Sequence, residues 1–469
     1  MTVFTDADRA ELEAMLADTD RLLATAYPGD PGTRQPVHTV YVPANRFTPD
    51  LPAAWGAEAL DAAARQGGLA RLAADLGLDG TPGSGAGASS GAGEAEAVAA
   101  LVQAKLESEP IEDLRLDFED GYGTPDDGTE DADARAAAAA VVRAREAGTA
   151  PPFIGIRFKS FEAATRTRGL RTLDLFLAGL LEGGDLPDGL VLTLPKVSTA
   201  AQATAMAWAC ARLEERHGLP AGRLRFEVQV ETPQLILGPD GTVPVAALLH
   251  AADGRISGLH YGTYDYSDAL QIAPAWQAMD HPGADYAKAV MQVAAAGTGV
   301  RLSDGSTNIL PLGADEEVLA AWRLHARLVR RSLERGYYQG WDLHAAQLPT
   351  RYLATYAFYR DGVPAAVRRL ENYLSETGGG VLDEPATARA LARFVDRALA
   401  CGAVTDAEAL VPAGLDRAQL ARLARRAAGA AGSSADGGSG PAASDRSGGG
   451  SSRSAADVGY AADAGPPSP

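Results

Sequence analysis

"LRLDFEDGYGT", residues 114–124, alternates apolar and charged residues and then breaks into glycine. Extended backbone sends successive side chains to opposite faces. Leu114, Leu116 and Phe118 therefore share one face, and Arg115, Asp117 and Glu119 share the other. "RFEVQVET", residues 225–232, repeats the pattern: Glu227, Gln229 and Glu231 oppose Val228 and Val230. Charge is tolerated in a core only when it is paired or binds something. The apolar faces are expected to meet helices and the polar faces to point into a closed interior, where they must satisfy one another. Arg115 is accordingly expected to meet Asp117 or Glu227 deep inside.

Working outward, six further runs read as strands. They are "HTVYVPA" from 38, "FIGIRF" from 153, "GLVLTLPKV" from 189, "ISGLHYG" from 256, "VRLSDG" from 300 and "GWDLH" from 340. Ala-, Leu- and Arg-rich stretches of helical period separate them. After a longer first gap the strands start roughly 25 to 45 residues apart, which suits a strand–loop–helix unit. Eight such units in about 300 residues predict an α/β fold, a (β/α)8 TIM barrel. A doubly wound open sheet would more naturally carry a glycine-rich phosphate turn after its first strand, and "YVPANRF" has none.

The expected organisation is an N-terminal helical segment (1–36) packed outside the barrel, then the barrel (37–350). A flexible Gly/Ser-rich insertion is expected near 79–94. A helical C-terminal extension (351–428) and a disordered tail (429–469) follow. Hydrophobic residues make up 46% of the 469, enough for a sizeable core, and the formal charge is −19. A field of that sign disfavours nucleic acid and anionic membranes, while leaving room for a local basic pocket. Cys210 and Cys401 are far apart and lack metal-site spacing, which points to a reducing compartment. The start "MTVFTDADRAELEAML" is acidic rather than signal-like, and no apolar run is long enough to span a bilayer. A soluble, cytoplasmic protein is expected.

Barrel active sites form at the C-terminal ends of the strands. Those ends carry Glu119 and Asp120, Arg157 and Lys159, Lys196, Glu231, Asp265, and finally Asp342 and His344. Glu231 and Asp265 end consecutive strands with no base beside them. Two such carboxylates suit a hard divalent cation, Mg²⁺ or alternatively Mn²⁺, which keeps its other positions for water and substrate oxygens. The pair also reads as a simple strand-end cap. Arg157 could bind substrate or pair with Asp117 or Glu119. Lys196 is expected to bind substrate, and also reads as a solvated rim charge or a Schiff-base lysine. His344 and His260 read as satisfied strand histidines or site residues, and Asn45 and Arg46 as contacts for an anionic substrate tail. Glu119 is expected as a catalytic residue and, behind the metal, to accept from its waters or orient Arg157, while Asp120 starts the loop or contacts the metal's waters.

The order of these motifs resembles the citrate lyase β-subunit and HpcH/HpaI aldolase superfamily. "YVPANR" is similar to its first strand, "DFEDGYG" to its acidic motif, "IRF" to its arginine strand and "LPKV" to a further element. "VQVETPQ" is similar to its glutamate strand, "GTYDYSDAL" to its Gly-Thr-Asn-Asp-Leu motif and "GWDLHAAQL" to its closing strand. "GGGVLDEPATARALA" is similar to its C-terminal Asp-x-Pro helix. The resemblance implies Mg²⁺ on Glu231 and Asp265, with Arg157 on a substrate carboxylate or carbonyl oxygen. It implies reversible aldol or Claisen carbon–carbon cleavage of a pyruvate- or glyoxylate-type 2-oxo acid substrate, or of a hydroxyacyl-CoA. It also implies a catalytic Asp383 contributed by a neighbouring subunit in thioester-using members, and a homotrimer or hexamer. "YDYS" and "HAAQ" depart from the usual wording. The aldolase branch has a histidine where Asp120 stands, so that branch's histidine mechanism does not carry over. Asp383 also reads as a helix N-cap before Pro385. A malate-synthase-like condensing enzyme or thioesterase using Asp383, and a non-catalytic 2-oxo acid-binding barrel, are the competing readings.

Overall fold

The computed structural model describes residues 3–78, 91–375 and 384–425. Eight strands form one parallel sheet: β1 (His38–Pro43), β2 (Asp113–Asp117), β3 (Phe153–Arg157), β4 (Leu190–Leu194), β5 (Phe226–Val230), β6 (Ile256–Tyr261), β7 (Arg301–Ser303) and β8 (Gly340–Asp342). Their order is β7-β6-β5-β4-β3-β2-β1-β8. Ser303 bridges Gln339, and the Trp341 N–H donates to the Gly305 carbonyl at 3.2 Å, joining β7 to β8. The ring is thereby closed and the TIM barrel expected from the strand count is present.

The outward-facing residues explain why the strands form. Val40, Leu114, Leu116, Ile154, Ile156, Leu192, Val228 and Val230 are fully or almost fully buried against the surrounding helices. Burying each such side chain contributes roughly 1.5–3 kcal/mol. A second core gathers around the long helix Leu348–Leu374, including Trp322, Tyr352, Leu370, Ala392 and Leu399. The first helix, Asp6–Ala26, buries none of its residues. Three further helices, Pro385–Ala400, Asp406–Ala413 and Arg417–Ala424, complete the C-terminal region.

β2 stops at Asp117, earlier than the alternation suggested. Glu119 and Asp120 lie in the turn beyond it. The cause is Asp117 itself, whose carboxylate accepts the backbone N–H of Glu119 at 3.0 Å and of Gly121 at 2.9 Å, curling the chain back. Of the expected insertion, residues 79–90 lie outside the described residues, and a helix begins at Gly91. The expected tail 429–469 also lies outside them. Among the described residues no helix is long and apolar enough to cross a membrane. Cys210 and Cys401 are both buried free thiols.

Candidate active site

The barrel interior is polar, and it is organised in layers. At the bottom Arg115 spans the barrel. Its Nε donates to Thr193 at 2.9 Å and Glu227 at 3.0 Å, and its Nη2 donates to Glu227 at 2.8 Å and Asp113 at 3.0 Å. Thr39 donates to Asp113 at 2.8 Å. His260 Nε2 lies 2.9 Å from Glu227, and the Trp341 indole N–H donates to His260 Nδ1 at 3.2 Å. An indole can only donate, so Nδ1 is the acceptor and the imidazole proton sits on Nε2. Burial works against charge at Glu227, but Arg115 and His260 outweigh it and hold its carboxyl well below the usual carboxylate range. Arg115 thus meets Glu227 as expected. Its other partner is Asp113 rather than Asp117.

Asp117 is instead engaged one layer higher. It lies opposite Arg157 in the β2–β3 register, and Arg157 donates to it twice, from Nε at 2.7 Å and Nη2 at 2.8 Å. The guanidinium stacks 4.7 Å from the centroid of the Tyr41 ring. Its remaining nitrogen, Nη1, faces Glu119 at 3.4 Å and Asp120 at 3.6 Å across the mouth. A Cβ on Gly121 would lie 2.9 Å from the Asp117 carboxylate, so the glycine in "DFEDG" permits this turn.

The rim itself is short of positive charge. Glu231, just past β5, is 2% exposed and accepts the backbone N–H of Lys196 at 2.7 Å. Lys196 takes a left-handed φ of 51°, a conformation uncommon outside glycine and frequent at functional sites. Its ammonium donates to Asp120 at 2.8 Å and to Glu119. Burial, then Asp265, push the Glu231 carboxyl up to about 8 against the pull of Arg157. Burial also pushes Glu119 up to about 7. Asp265, open to solvent on the short helix Thr263–Ala269, is raised by the partial burial of its carboxyl and by Asp120, against Lys196. Gly262 N–H donates to the Val230 carbonyl at 3.0 Å, tying the end of β6 to the end of β5. A Cβ there would lie 2.6 Å from Glu231 Cβ and Oε2, so glycine leaves the room this carboxylate occupies.

The chemistry of this donor set fits a divalent cation. Two carboxylates are held above their ordinary ionisation range because burial and nearby acids, Asp265 at Glu231 and Asp120 at Asp265, outweigh Arg157 and Lys196, and a dication would relieve both. Among the described residues no three His, Cys, Asp or Glu side chains group as a complete metal cage. Mg²⁺ needs only one or two protein carboxylates and keeps its waters.

A family model described as "Domain of unknown function (DUF6986)" matches residues 16–428. The chain belongs to this family. No curated protein matches it significantly. Among solved structures, this DUF6986 chain is similar to a citrate lyase from Burkholderia xenovorans LB400, at 21% identity and TM-score 0.51, over 67% of this chain and 91% of that one. That likeness shows a shared fold. Lower scores relate it to CitE from Mycobacterium tuberculosis in complex with magnesium, acetoacetate and coenzyme A (18%, TM-score 0.43, 79% of this chain and 99% of that one). The malate synthase of Haloferax volcanii, solved as a magnesium/glyoxylate complex, gives 14% and 0.43, over 75% and 79%.

The structure thus brings together Glu119, Asp120, Arg157, Lys196, Glu231 and Asp265. Asn45 and Arg46 lie exposed on the single turn Ala44–Arg46 after β1. His344 caps the turn Ala345–Gln347, accepting the Ala346 N–H at 3.1 Å, and its Nε2 lies 3.5 Å from Glu58. Asp342 does not join the rim. It pairs in register with outward-facing Val40 and is buried on Arg351 (2.9 Å), His38 (2.7 Å) and His325 (3.1 Å). His260 belongs to the bottom layer. Asp383 lies outside the described residues. The sequence reading passed over Asp113, Tyr41 and Trp341. Thr39 and Tyr41 share the inward parity of "HTVYVPA", a signal that would have found Tyr41.

Proposed function

We propose that this chain is a Mg²⁺-dependent carbon–carbon lyase or condensing enzyme acting on a pyruvate- or glyoxylate-type 2-oxo acid, free or derived from a hydroxyacyl-CoA. The observation that carries this reading is the under-compensated pair Glu231 and Asp265 beside Arg157, whose Nη1 edge meets only the longer ion pairs to Glu119 and Asp120 at the mouth. Glu231 and Asp265 would hold the cation, with Mn²⁺ as an alternative. When bound, it supplies Lewis acidity toward a keto or carboxylate oxygen.

The chain's own groups do the rest. Asp117 fixes the Arg157 guanidinium through two bonds, so its Nη1 edge is preset for a substrate carboxylate or for an oxygen that gains charge as the bond cleaves. Burial opposes charge on Lys196, but Asp120 and Glu119 hold its ammonium above the ordinary lysine range. A Schiff base would need that amine neutral, so Lys196 serves instead to orient Glu119 and attract an anion. Glu119, poised near neutrality, is suited to take or return the substrate proton.

The test is a panel of 2-hydroxy and hydroxyacyl-CoA substrates, with Mg²⁺ present or chelated, coupled to detection of pyruvate and glyoxylate. Turnover should require the metal and vanish in Glu231→Gln without unfolding. Full activity in that variant or in EDTA would reject the proposal. Asp383→Asn separates the two branches, since a plain aldolase survives it and a thioester-using enzyme does not.

A further inference from the structure

The chain's second concentration of charge lies at the opposite end of the barrel and has the opposite sign. A cavity of about 520 Å³ opens between the N-terminal ends of β1, β7 and β8 and the helices Pro385–Ala400 and Arg417–Ala424. Six arginines line it and face only two aspartates, in a protein whose net charge is −19. Two of the six are neutralised. Arg34 pairs with Glu112 at 2.8 Å and with Glu109, and Arg397 reaches Asp30 at 3.3 Å while stacking 4.3 Å from the Tyr338 ring. Arg301, Arg389, Arg393 and Arg425 make no ion pair among the described residues.

The placement carries a cost that the fold does not explain. Arg389, Arg393 and Arg397 follow one another at four-residue intervals, which sets three like charges on one face of a helix. Like charges at that spacing repel one another and weaken a helix. Burial, and the nearby Arg225 and Arg397, also depress the Arg301 guanidinium, which Asp30 only partly offsets. The cluster contains arginines and no lysine, and the planar fork of arginine matches carboxylate and phosphate oxygens in pairs. The volume is that of a small-molecule site.

We propose that this cavity binds a small organic polyanion carrying two or more phosphate or carboxylate groups, held by Arg389, Arg393, Arg301 and Arg425. The site is remote from the strand ends that form the rim and does not depend on the reaction proposed there.

The full-length protein, stripped of metal on a chelating resin and kept at constant ionic strength in a buffer free of polyanions, should bind inorganic pyrophosphate or tricarballylate saturably by calorimetry. Which of the two binds more tightly identifies a phosphorylated or a polycarboxylate ligand. Arg389→Gln and Arg393→Gln should each weaken binding by about tenfold, while Glu231→Gln leaves it unchanged. Phenylglyoxal labelling of the wild-type protein, read by peptide mass spectrometry, gives the same answer without a variant: the bound probe should protect Arg389 and Arg393. Failure of both probes to bind overturns the proposal. So does binding that survives both arginine substitutions, binding that is lost in Glu231→Gln, or labelling that is indifferent to the probe.

Discussion

Glu227 and Glu231 stand four residues apart on the same face of β5 and its continuation, both almost wholly buried, yet their surroundings drive them in opposite directions. Glu227 is met by Arg115, His260 and Thr193 and is held ionised far below the usual range. Glu231 receives one backbone N–H, faces Asp265 and Glu119, and is pushed up to about 8. One carboxylate is finished by the protein and the other is left for something else to finish. The lower layer is therefore internally paired, and under the proposed function the rim is the binding element, although their residue types are the same.

The largest effect should come from breaking the finished layer. Arg115→Met strands Asp113 and Glu227 as buried anions, and urea unfolding should show a loss of about 3–5 kcal/mol. At the rim, Glu231→Gln removes an unfavourable charge, and the same measurement at pH 8 should show no loss of stability. A comparable cost for the two substitutions would erase the distinction between the layers.

Next in size is Arg157→Lys. Lysine cannot reproduce the double bond to Asp117 while presenting a second nitrogen to the mouth. Turnover in the coupled assay should fall by about 10²-fold, with a much smaller change in unfolding midpoint.

The third prediction concerns pH, where the two glutamates have opposite signs. Glu231 is raised from 4.5 to about 8, so between those values the metal-free native state keeps a proton that the unfolded chain releases. Stability should fall as pH rises through this window, by up to about 1.4 kcal/mol per unit. Glu119, raised from 4.5 to about 7, adds to the same slope. Glu227 is depressed, so its contribution is present above pH 4.5 and is lost only as the solution becomes strongly acid. Thermal unfolding across pH 5–8 should flatten in Glu231→Gln. Added Mg²⁺ should stabilise the wild type more at pH 8 than at pH 6, because the cation needs the ionised carboxylate.

The smallest effect is expected at His344. It is partly exposed, and its cap is available to other polar residues, so His344→Asn should stay within about 0.5 kcal/mol in urea unfolding.

How much of this was legible in the sequence follows from what alternation can and cannot encode. The parity of β2 and β5 gave the inward residues, the strand count gave the barrel, and the strand ends gave Arg157, Glu231 and Asp265. Register between strands was not legible. Asp117 pairs with Arg157 because β2 and β3 lie directly opposite at those positions, and Arg115 reaches across β3 to β4 and β5 because the barrel is closed. Asp342 was read as a rim acid because it ends a strand, but its register with Val40 turns it outward. Asp113 escaped because the apolar alternation begins one residue after it. Lys196 drew notice as a charge, whereas its left-handed backbone, which aims the N–H at Glu231, has no signature in "LPKV".

The central claim, that the rim is completed by a divalent cation on Glu231 and Asp265, is tested most directly by calorimetric titration of Mg²⁺ into the wild-type protein and Glu231→Gln at pH 8. The account predicts one saturable site in the wild type and none in the variant. Equal binding in both, or no binding in the wild type, would contradict it.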